Sequence, residues 1–518
     1  MRRYAPLLAF LLVALAWAGP EAVRLQLPGG WIEGRVRGDV FEFKGITYAR
    51  AGRWRPPQPV DSWPGVLRAF SSGPICPQRG SITVRLGRML GSYVPAQDED
   101  CLNLNVWTPA AAPPPGGWPV MVFVHGGSYT GGSGSEPIYD GAALARRGVV
   151  VVTLNYRLGA FGFLALPALV AEDPRGGNGN YGLLDQIAAF SWVRRQIAGF
   201  GGDPANVTAF GESAGAMSLC TLLASPLARG AFDRAVLESG GCNFVYTLQE
   251  AYAHSRDFAR EVGCSLDDLK CWRALPRERL VALATPETDF EKVLFKPVLD
   301  GYVLTEAPES ALAAGRASRV PLFVGVTAGE YRLDVTAAHM RDKSSWPGLE
   351  KLIRSKEGGR ADRVIAHYRS RFESALDAYF AYMGERIITC PTLRAGRLAA
   401  RYAPVYGYRF EYASPLWSGL GSMHGIELPF VFDTRTVWPF WAMFATLEEQ
   451  QRSAPLARVV QQTWTSFARD GVPRAGWAPA PALGSGWLLG LDLRWGWRPD
   501  GWNDICKLWG ADEPITDP

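Results

Sequence analysis

Two apolar runs constrain the fold of this chain more than any other feature of its sequence. One extends from Val120 to Val124 (VMVFV) and the other from Val149 to Leu154 (VVVVTL). Neither run alternates with polar residues, which indicates strands covered on both faces, as in a mostly parallel sheet flanked by helices. A strand candidate over 206–210 and helix-period segments over 183–197 and 216–223 continue the alternation. The sequence therefore predicts an α/β protein.

Composition and charge narrow the possibilities further. The chain has 518 residues, of which 47% are hydrophobic and 20% charged, as is typical of a folded protein with a large core. Its 54 basic and 50 acidic residues leave a net charge of +4, and the arginines are scattered, which argues against a nucleic-acid partner. The sequence shows no internal repeat and no long low-complexity segment. We therefore expect one large α/β domain with insertions over residues 19–518.

The first 18 residues show the three parts of a secretory signal peptide. Arg2 and Arg3 form a short basic start, the run from Ala5 to Trp17 is apolar, and small residues at 16 and 18 stand at cleavage-site spacing. The run is shorter than the roughly 20 apolar residues that a membrane span needs. We expect residues 1–18 to be removed and the remainder to be secreted or periplasmic, without a stable membrane anchor.

The cysteines agree with an exported chain. An even number of cysteines in such a protein predicts disulfides, although the residues alone leave the pairing open. No Cys-x-x-Cys pair or Cys/His cluster has the spacing of a metal site, so no metal is expected. The eight cysteines are Cys76, Cys101, Cys220, Cys242, Cys264, Cys271, Cys390 and Cys506.

The segment from Gly211 to Gly215 (GESAG) carries the strongest sign of chemistry. The pattern Gly-x-Ser-x-Gly forms a sharp turn between a strand and a helix, which holds the serine hydroxyl out at the top of a sheet. The pattern alone is weak, but here a strand candidate precedes it and a helical run follows it. Ser213 is therefore the candidate nucleophile, and an ordinary glycine-rich turn is the alternative.

A serine nucleophile needs a base, and the chain has five histidines. His424 lies on a glycine-flanked loop (GSMHG) after a strand candidate, where an imidazole can reach back to the sheet edge; a loop histidine without a role is the alternative. His254 and His367 lie in charged helical stretches, which indicates surface positions, and nothing supports His339. His125 begins HGGSY directly after the first apolar run. This segment is suited to offer backbone N–H groups to an oxyanion, and a strand-ending turn is the alternative.

The third member of such a triad is a carboxylate that orients the histidine. Where a strand–turn–helix elbow carries the serine, the acid comes between the serine and the histidine in the chain, so we expect it between Ser213 and His424. Glu330 follows an apolar strand candidate, so it stands at a strand end, where the acid belongs. Many acids fall in the same interval. From the residues alone, Asp300 and Asp334 therefore remain competitors.

Taken in order, several blocks of this sequence resemble the type-B carboxylesterases, the family that includes cholinesterases, bacterial para-nitrobenzyl esterases and the non-enzymatic neuroligins. The resemblance extends from about Arg35 to Trp509. It rests on EDCLNLN (99–105), NYR (155–157), GLLDQ (182–186), FGGDP (200–204), FGESAG (210–215), PVLDG (297–301), HGIELPF (424–430) and WTSFA (464–468). So many blocks in one order are highly specific.

The resemblance implies an α/β-hydrolase fold, with a large, mostly parallel central sheet flanked by helices and with insertions around an active-site gorge. It also implies Ser213, Glu330 and His424 as the triad, and it assigns Asp300 a structural position. Ser128 stands where glycine is frequent in the family, but the group that matters there is main-chain. The oxyanion donors that the resemblance implies are the backbone N–H groups of Gly127, Ser128 and Ala214.

Further positions follow from the same resemblance. Glu212 and Ser239 match positions that help to order the triad. Tyr246 roughly matches an acyl-pocket position, with plain packing as the alternative. Cys220 and Cys242 are left over from the family pattern; we suggest that they pair too, and two inert buried thiols fit equally well. The disulfides that the resemblance implies are Cys76–Cys101, Cys264–Cys271 and Cys390–Cys506.

The expected function is hydrolysis of small-molecule carboxylic esters through an acyl-enzyme, with no cofactor. Two alternatives stay open, a lipase for long acyl chains and a neuroligin-like binding module, and the intact triad positions argue against the second. Cholinesterases bind a quaternary ammonium on a tryptophan within the first disulfide loop. Between Cys76 and Cys101 this sequence has no tryptophan, and its only aromatic residue there is Tyr93. Choline esters are therefore not expected as substrates, and the sequence leaves the oligomeric state open.

Overall fold

The computed structural model describes residues 22–79, 96–173, 175, 177–283, 293–332, 345–413, 421–436, 446–475, 478–479, 487–499, 505–506 and 508–509. The expected signal peptide (1–18), Tyr93, Asp334 and His339 lie outside these residues. Glu330 and Asp300 are therefore the two acid candidates that the structure positions.

A sheet of thirteen strands forms the centre of the described part of the chain. Its strands are β1 (Ala22–Leu27), β2 (Gly30–Arg37), β3 (Val40–Thr47), β4 (Val66–Arg68), β5 (Asn103–Pro109), β6 (Trp118–Val124), β7 (Val150–Leu154), β8 (Gly202–Glu212), β9 (Arg234–Glu238), β10 (Leu322–Thr327), β11 (Val405–Phe410), β12 (Trp487–Leu491) and β13 (Gly496–Pro499). Their order is β1-β2-β3-β5-β7-β6-β8-β9-β10-β11-β12-β13, with β4 beside β2. The seven neighbours from β7 to β12 run parallel to one another. Antiparallel strands flank them: β1, β2, β3 and β5 on one side and β13 on the other.

Helices connect and cover these strands. They are α1 (Ala142–Ala145), α2 (Gly159–Phe163), α3 (Pro167–Glu172), α4 (Tyr181–Gln196), α5 (Ala214–Ala224), α6 (Leu248–Val262), α7 (Leu269–Ala274), α8 (Arg277–Leu283), α9 (Pro308–Ala313), α10 (Trp346–Glu357), α11 (Ala361–Arg371), α12 (Ala375–Gly384), α13 (Cys390–Ala399), α14 (Leu428–Val431) and α15 (Leu447–Asp470). Short 3-10 segments are Pro137–Tyr139, Ile197–Phe200, Pro226–Ala228 and Gly358–Arg360, and Glu385–Thr389 is a π-helical turn. Two-residue strands pair as Ala49–Arg50 with Gln58–Pro59, Tyr246–Thr247 with Val298–Leu299, and Arg474–Ala475 with Ala478–Pro479.

The core lies on both faces of the parallel strands. In β6, Val120, Val122 and Val124 belong to one core cluster, whereas Met121 and Phe123 belong to the other. All five side chains are fully buried. Helices α4 and α5 contribute to the first cluster and α15 to the second, so helices cover both sides of the sheet. The absence of polar alternation in this run is therefore a consequence of burial on two faces, and the predicted α/β class is confirmed.

An ion pair fixes the end of β7 to α4. Arg157 donates from Nε to Asp185 Oδ2 and from a terminal nitrogen to Asp185 Oδ1, both at 2.7 Å. The side chains are only 4% and 0% exposed, so each charge depends on the other for its compensation. The NYR and GLLDQ blocks of the sequence are thus two halves of one buried contact.

The chain between β10 and β11 forms a satellite core of its own. Helices α10, α11 and α12 enclose buried side chains that include Leu349, Ile353, Val364, Tyr368 and Tyr382. This unit is an insertion between two neighbouring strands of the sheet; the sequence predicts insertions without placing this one. It continues through the π-helical turn into α13, which packs back against β10 and β11.

No described helix is both long and apolar enough to cross a membrane.

The cysteines form disulfides, as the sequence predicts for them. All eight cysteines are paired, including the two left over from the family pattern. The pairs are Cys76–Cys101, Cys220–Cys242, Cys264–Cys271 and Cys390–Cys506.

Candidate active site

Five neighbouring strands, β6, β8, β9, β10 and β11, deliver the candidate residues to one edge of the sheet. These strands are parallel and adjacent in that order. Because the carboxyl ends of parallel strands lie at the same edge, segments far apart in the chain converge there. The segments after the five strands are HGGSY (125–129), Ser213, Ser239, Glu330 and the loop 421–425.

Ser213 occupies a strained turn between β8 and α5. Its backbone has φ 56° and ψ −124°, a conformation that few non-glycine residues adopt, and its N–H donates to the carbonyl of Glu238 at 2.8 Å. Gly215 lies so close to β6 that a Cβ there would stand 1.9 Å from the carbonyl oxygen of Val124. The turn therefore has the sharp strand-to-helix geometry that the GESAG pattern predicts.

The segment after β6 lies against this elbow. A Cβ on Gly126 would stand 2.8 Å from the backbone oxygen of Glu212 and 3.1 Å from Ser213 Cβ, so only glycine fits. Ser128 has φ 54°. Within the described residues, no acceptor takes the N–H of Gly127, Ser128 or Ala214. Three unpaired donors beside a serine hydroxyl can bind a developing oxyanion.

His424 and Glu330 are joined directly. His424 Nδ1 lies 2.6 Å from Glu330 Oε2, and the other carboxylate oxygen of Glu330 accepts from Ser239 Oγ and from the N–H of Thr327, both at 2.7 Å. The two loops are tied to each other as well, since Gly329 N–H donates to the Ser422 carbonyl at 2.8 Å. Both oxygens of the buried acid are therefore occupied, and the imidazole is held in one orientation.

Carboxylates surround the free edge of the imidazole. His424 Nε2 makes no hydrogen bond within the described residues, and Glu212 Oε1 lies 3.0 Å from it. Burial disfavours the imidazolium, but Glu212, Glu330 and Glu427 outweigh this effect and raise the pKa of His424 above its usual 6.5. Burial in turn raises the pKa of Glu212 to about 7, against the opposing effect of His424. The site thus stabilises a positive charge on the histidine.

Two further acids lie beneath the site, and the sequence reasoning missed both. Glu238 and Glu427 are fully buried, and both oxygens of Glu427 are without a hydrogen-bond partner in the described part of the chain. Glu238 Oε1 accepts from the Trp464 indole at 2.8 Å, while its Oε2 has no described partner. Burial raises the pKa of Glu238 to about 8 and that of Glu427 well above 4.5. Their places beside Ser239 and within the HGIELPF block were the available signals.

The other candidate residues make packing or turn contacts. His125 is buried, its ring stacks on Tyr156, and burial lowers its pKa to about 4, so it is neutral. Asp300 accepts from the N–H groups of residues 302, 303 and 304 and caps a turn. Tyr246 donates its hydroxyl to the Val293 carbonyl at 2.8 Å. His254 lies partly buried on α6.

A comparison with protein families decides what kind of molecule this is. The profile of the Carboxylesterase family matches residues 21–487. The chain belongs to the carboxylesterase family. This carboxylesterase hydrolyses carboxylic esters, and its fold is the α/β-hydrolase fold expected from the resemblance. No group of three or more described His, Cys, Asp or Glu residues could hold a metal ion.

Individual relatives of this carboxylesterase agree with that assignment. It is 37% identical to the para-nitrobenzyl esterase of Bacillus subtilis (strain 168) over 454 residues, which are 86% of this chain and 89% of the relative. It is also 37% identical to the fumonisin B1 esterase of Sphingopyxis macrogoltabida over 478 residues, 90% and 85% of the two chains. A crystal structure of a Geobacillus stearothermophilus carboxylesterase superposes with a TM-score of 0.81 at 34% identity, covering 94% of this chain and 99% of the other.

Proposed function

We propose that this carboxylesterase acts on small-molecule esters through an acyl-enzyme, with Ser213 as the nucleophile, His424 as the general base and acid, and Glu330 as the orienting carboxylate. The observation that carries the proposal is the 2.6 Å contact between His424 Nδ1 and Glu330 Oε2 at the sheet edge that also presents the Ser213 elbow. With Nδ1 engaged by the carboxylate, Nε2 is the nitrogen available to exchange a proton with the serine.

In the first half-reaction, Ser213 Oγ attacks the ester carbonyl while His424 Nε2 takes the hydroxyl proton. The negative charge that develops on the carbonyl oxygen is accepted by the backbone N–H groups of Gly127, Ser128 and Ala214. The bond between the acyl carbon and the alkoxy oxygen then breaks, and His424 returns the proton to the departing alcohol. Water deacylates the enzyme by the same route, which releases the acid and restores the serine.

Glu212 and Ser239 support this chemistry without reacting. Ser239 holds the carboxylate of Glu330 by a 2.7 Å hydrogen bond. Glu212 lies 3.0 Å from His424 Nε2 and favours the imidazolium that forms in each half-reaction. Because the oxyanion donors are main-chain groups, Ser128 offers the same N–H that glycine would.

The test is hydrolysis of 4-nitrophenyl esters from acetyl to palmitoyl by the protein and by Ser213→Ala. Turnover that is highest for short chains and absent in the variant supports the proposal, and Ser218→Ala, a buried serine one helical turn further along α5, serves as the matched control. A maximum at long chains would shift the substrate class to that of a lipase. Turnover that survives in Ser213→Ala, with the protein folded, would refute the nucleophile, and no turnover by the parent protein would favour the binding-module alternative.

A covalent label provides a second readout that does not depend on the choice of ester. A fluorophosphonate should add one adduct to the peptide that contains Ser213 and none to the Ser213→Ala protein. An adduct on another serine would contradict the assignment.

We also propose that the protein is exported after removal of residues 1–18. The four disulfides support this location, because disulfides persist in oxidising compartments. N-terminal sequencing of the protein recovered from the culture medium or periplasm should begin close to residue 19. Recovery only from the cytosol would contradict it.

A further inference from the structure

The segment HGGSY (125–129) begins with a buried histidine to which the proposed mechanism gives no role. The side chain of His125 lies in the core, and its Nδ1 is 2.8 Å from the carbonyl oxygen of Gly126. A carbonyl oxygen only accepts hydrogen bonds, so Nδ1 must carry the proton and donate it. The ring is therefore a donor to the backbone of the same segment that offers N–H groups to an oxyanion.

Burial keeps this ring neutral and in one tautomer. It lowers the pKa of His125 to about 4, so at neutral pH the ring carries a single proton, and the Gly126 carbonyl holds that proton on Nδ1. Nε2 is then an unprotonated nitrogen, and it has no hydrogen-bond partner within the described residues. The ring therefore donates from Nδ1 throughout the neutral range of pH.

The orientation of the Gly126 carbonyl decides where the N–H of Gly127 points. The two groups belong to one trans peptide, in which the C=O and the N–H point in opposite directions. Because the carbonyl is directed at His125 Nδ1, the N–H of Gly127 is directed away from the imidazole, and no described acceptor takes it. The histidine thus sets the direction of a proposed oxyanion donor.

Glycine on both sides leaves this peptide with little steric control. A side chain at Gly126 is excluded by the turn at the nucleophile, since its Cβ would stand 2.8 Å from the backbone oxygen of Glu212, and Gly127 has φ 104°. A peptide between two glycines can rotate at little steric cost. The close packing that requires glycine here therefore leaves the direction of the donor to a hydrogen bond.

The other two proposed donors are held by the backbone. The carbonyl of Gly127, which shares a peptide with the Ser128 N–H, accepts from two backbone N–H groups of the following turn at 2.9 and 3.1 Å. The carbonyl of Ser213, which shares a peptide with the Ala214 N–H, accepts from the backbone N–H of Met217 at 2.9 Å. Of the three donor peptides, the first is the one whose carbonyl has only a side chain as its described partner.

Residues from two further segments pack around this contact. A Cβ on Gly132 would stand 2.4 Å from His125 Nδ1 and 2.6 Å from the Gly126 oxygen, so only glycine allows the close approach. Gln78 holds Gly132 in turn, because it accepts from its N–H and donates to its carbonyl, each at 2.8 Å. Tyr156 stacks on the ring with centroids 4.5 Å apart and donates its hydroxyl to the His125 carbonyl at 2.9 Å. The imidazole is thereby fixed in the orientation in which it donates.

We propose that His125 is a positioning residue for the oxyanion site: its Nδ1–H holds the Gly126 carbonyl and thereby directs the N–H of Gly127 at the developing negative charge. This inference rests on the proposed function, in which that N–H is one of the oxyanion donors. The buried imidazole neither touches the substrate nor exchanges a proton with it. Its loss should therefore slow formation of the tetrahedral intermediate and leave binding of the ester unchanged.

The experiment compares His125→Asn with His125→Leu. The amide nitrogen of asparagine is as many bonds from Cβ as Nδ1 is and can donate to the Gly126 carbonyl, whereas leucine has the same branched shape and no donor. Asparagine should keep kcat for 4-nitrophenyl acetate within about fivefold of the parent value. Leucine should lower kcat by about a hundredfold, the effect of losing one oxyanion donor, with KM within about threefold. His367→Leu, at a partly exposed histidine on α11, is the matched control and should change neither constant.

A trifluoromethyl ketone gives a readout that packing alone would not change. Ser213 Oγ adds to its carbonyl carbon, His424 takes the serine proton, and the carbonyl oxygen becomes the anion of a hemiketal in the oxyanion site. The inhibition constant of hexyl trifluoromethyl ketone should rise in His125→Leu by the factor by which kcat/KM falls, and that of the corresponding secondary alcohol should not change. The midpoint of the acid limb of kcat/KM against pH should also stay the same, because the contact between His424 and Glu330 is untouched.

The outcomes separate the two proposals. Equal kcat values for the asparagine and leucine variants, or a loss in His125→Leu that is accompanied by a shifted pH midpoint, would overturn the positioning role and leave the proposed function standing. Turnover that is absent in the parent protein, or that survives in Ser213→Ala, would refute the proposed function itself. If His125→Leu does not fold, His125→Met takes its place in the comparison, since methionine is adaptable in a core and has no donor.

Discussion

Replacing Glu238 by glutamine should stabilise this carboxylesterase, and more so at higher pH. The carboxyl is fully buried, accepts one hydrogen bond from Trp464, and has its pKa raised by burial from 4.5 to about 8. A carboxyl with a raised pKa in the folded state binds its proton more tightly there than in the unfolded chain. Its contribution to stability is therefore complete below pH 4.5 and is lost as the pH rises towards 8.

The size of this loss follows from the two pKa values. Relative to acid pH, Glu238 lowers the free energy of unfolding by about 3 kcal/mol at pH 7 but by only about 1 kcal/mol at pH 5. Glutamine has nearly the same shape, offers an oxygen to the Trp464 indole, and does not ionise. Glu238→Gln should therefore remove about 2 kcal/mol of the difference in stability between these two pH values.

The assay is urea-induced unfolding followed by tryptophan fluorescence at pH 5, 6, 7 and 8, with the disulfides intact. Glu448→Gln, an exposed glutamate at the start of α15, is the control and should leave the pH dependence unchanged. The midpoint of Glu238→Gln should rise above that of the parent protein, and the gap should widen with pH. Parallel curves for the two proteins from pH 5 to 8 would refute the reasoning, because they would show that the buried carboxyl does not titrate in this range.

Three further predictions test other parts of the site and the fold. Ser239→Ala removes the hydroxyl that donates to Glu330; under the proposed mechanism kcat should fall by about tenfold with KM unchanged, and an unaltered kcat would contradict the role proposed for Ser239. Gly126→Ala introduces a Cβ 2.8 Å from the elbow backbone and should lower kcat by about a hundredfold or more, whereas Gly359→Ala, with open space around it, should be neutral in the same assay. The double change Cys390→Ser and Cys506→Ser opens a loop of 116 residues and should cost roughly 5 kcal/mol by the chain-entropy estimate, measured by urea unfolding; a loss below 1 kcal/mol would contradict it.

The local parts of the site were predictable because neighbouring residues determine them. The elbow at Ser213 and the HGGSY segment depend on glycines within the same few positions and on the strands directly before them. Glu330 and Asp300 could not be separated by such reasoning, since both are acids near strands. Their hydrogen bonds distinguish them: Glu330 accepts from Ser239, which is 91 residues away in the sequence, whereas Asp300 accepts from the N–H groups of its own turn.

The buried acids and the directions of β5 and β13 were beyond the sequence for the same physical reason. Glu238 is buried through contact with Trp464, 226 residues later, and nothing next to it in the chain indicates that environment. Strand β7 (Val150–Leu154) is buried along its whole length, and it is parallel to β6 but antiparallel to β5. Burial of both sheet faces determines the apolar pattern of the strand, and this burial does not depend on the direction of the neighbouring strand. The fold class was therefore predictable, while the antiparallel directions of β5 and β13 were not.

The disulfide connectivity has a consequence for how the chain matures. Each bond joins a cysteine to the next one in the sequence, and no bond spans another. An oxidant that meets the polypeptide from its N-terminus, and links each new thiol to the one waiting before it, produces the native set without reshuffling. Maturation of this enzyme should therefore need a thiol oxidase but not a disulfide isomerase. Cys390 must remain reduced for the longest part of synthesis, because its partner Cys506 is the 116th residue after it.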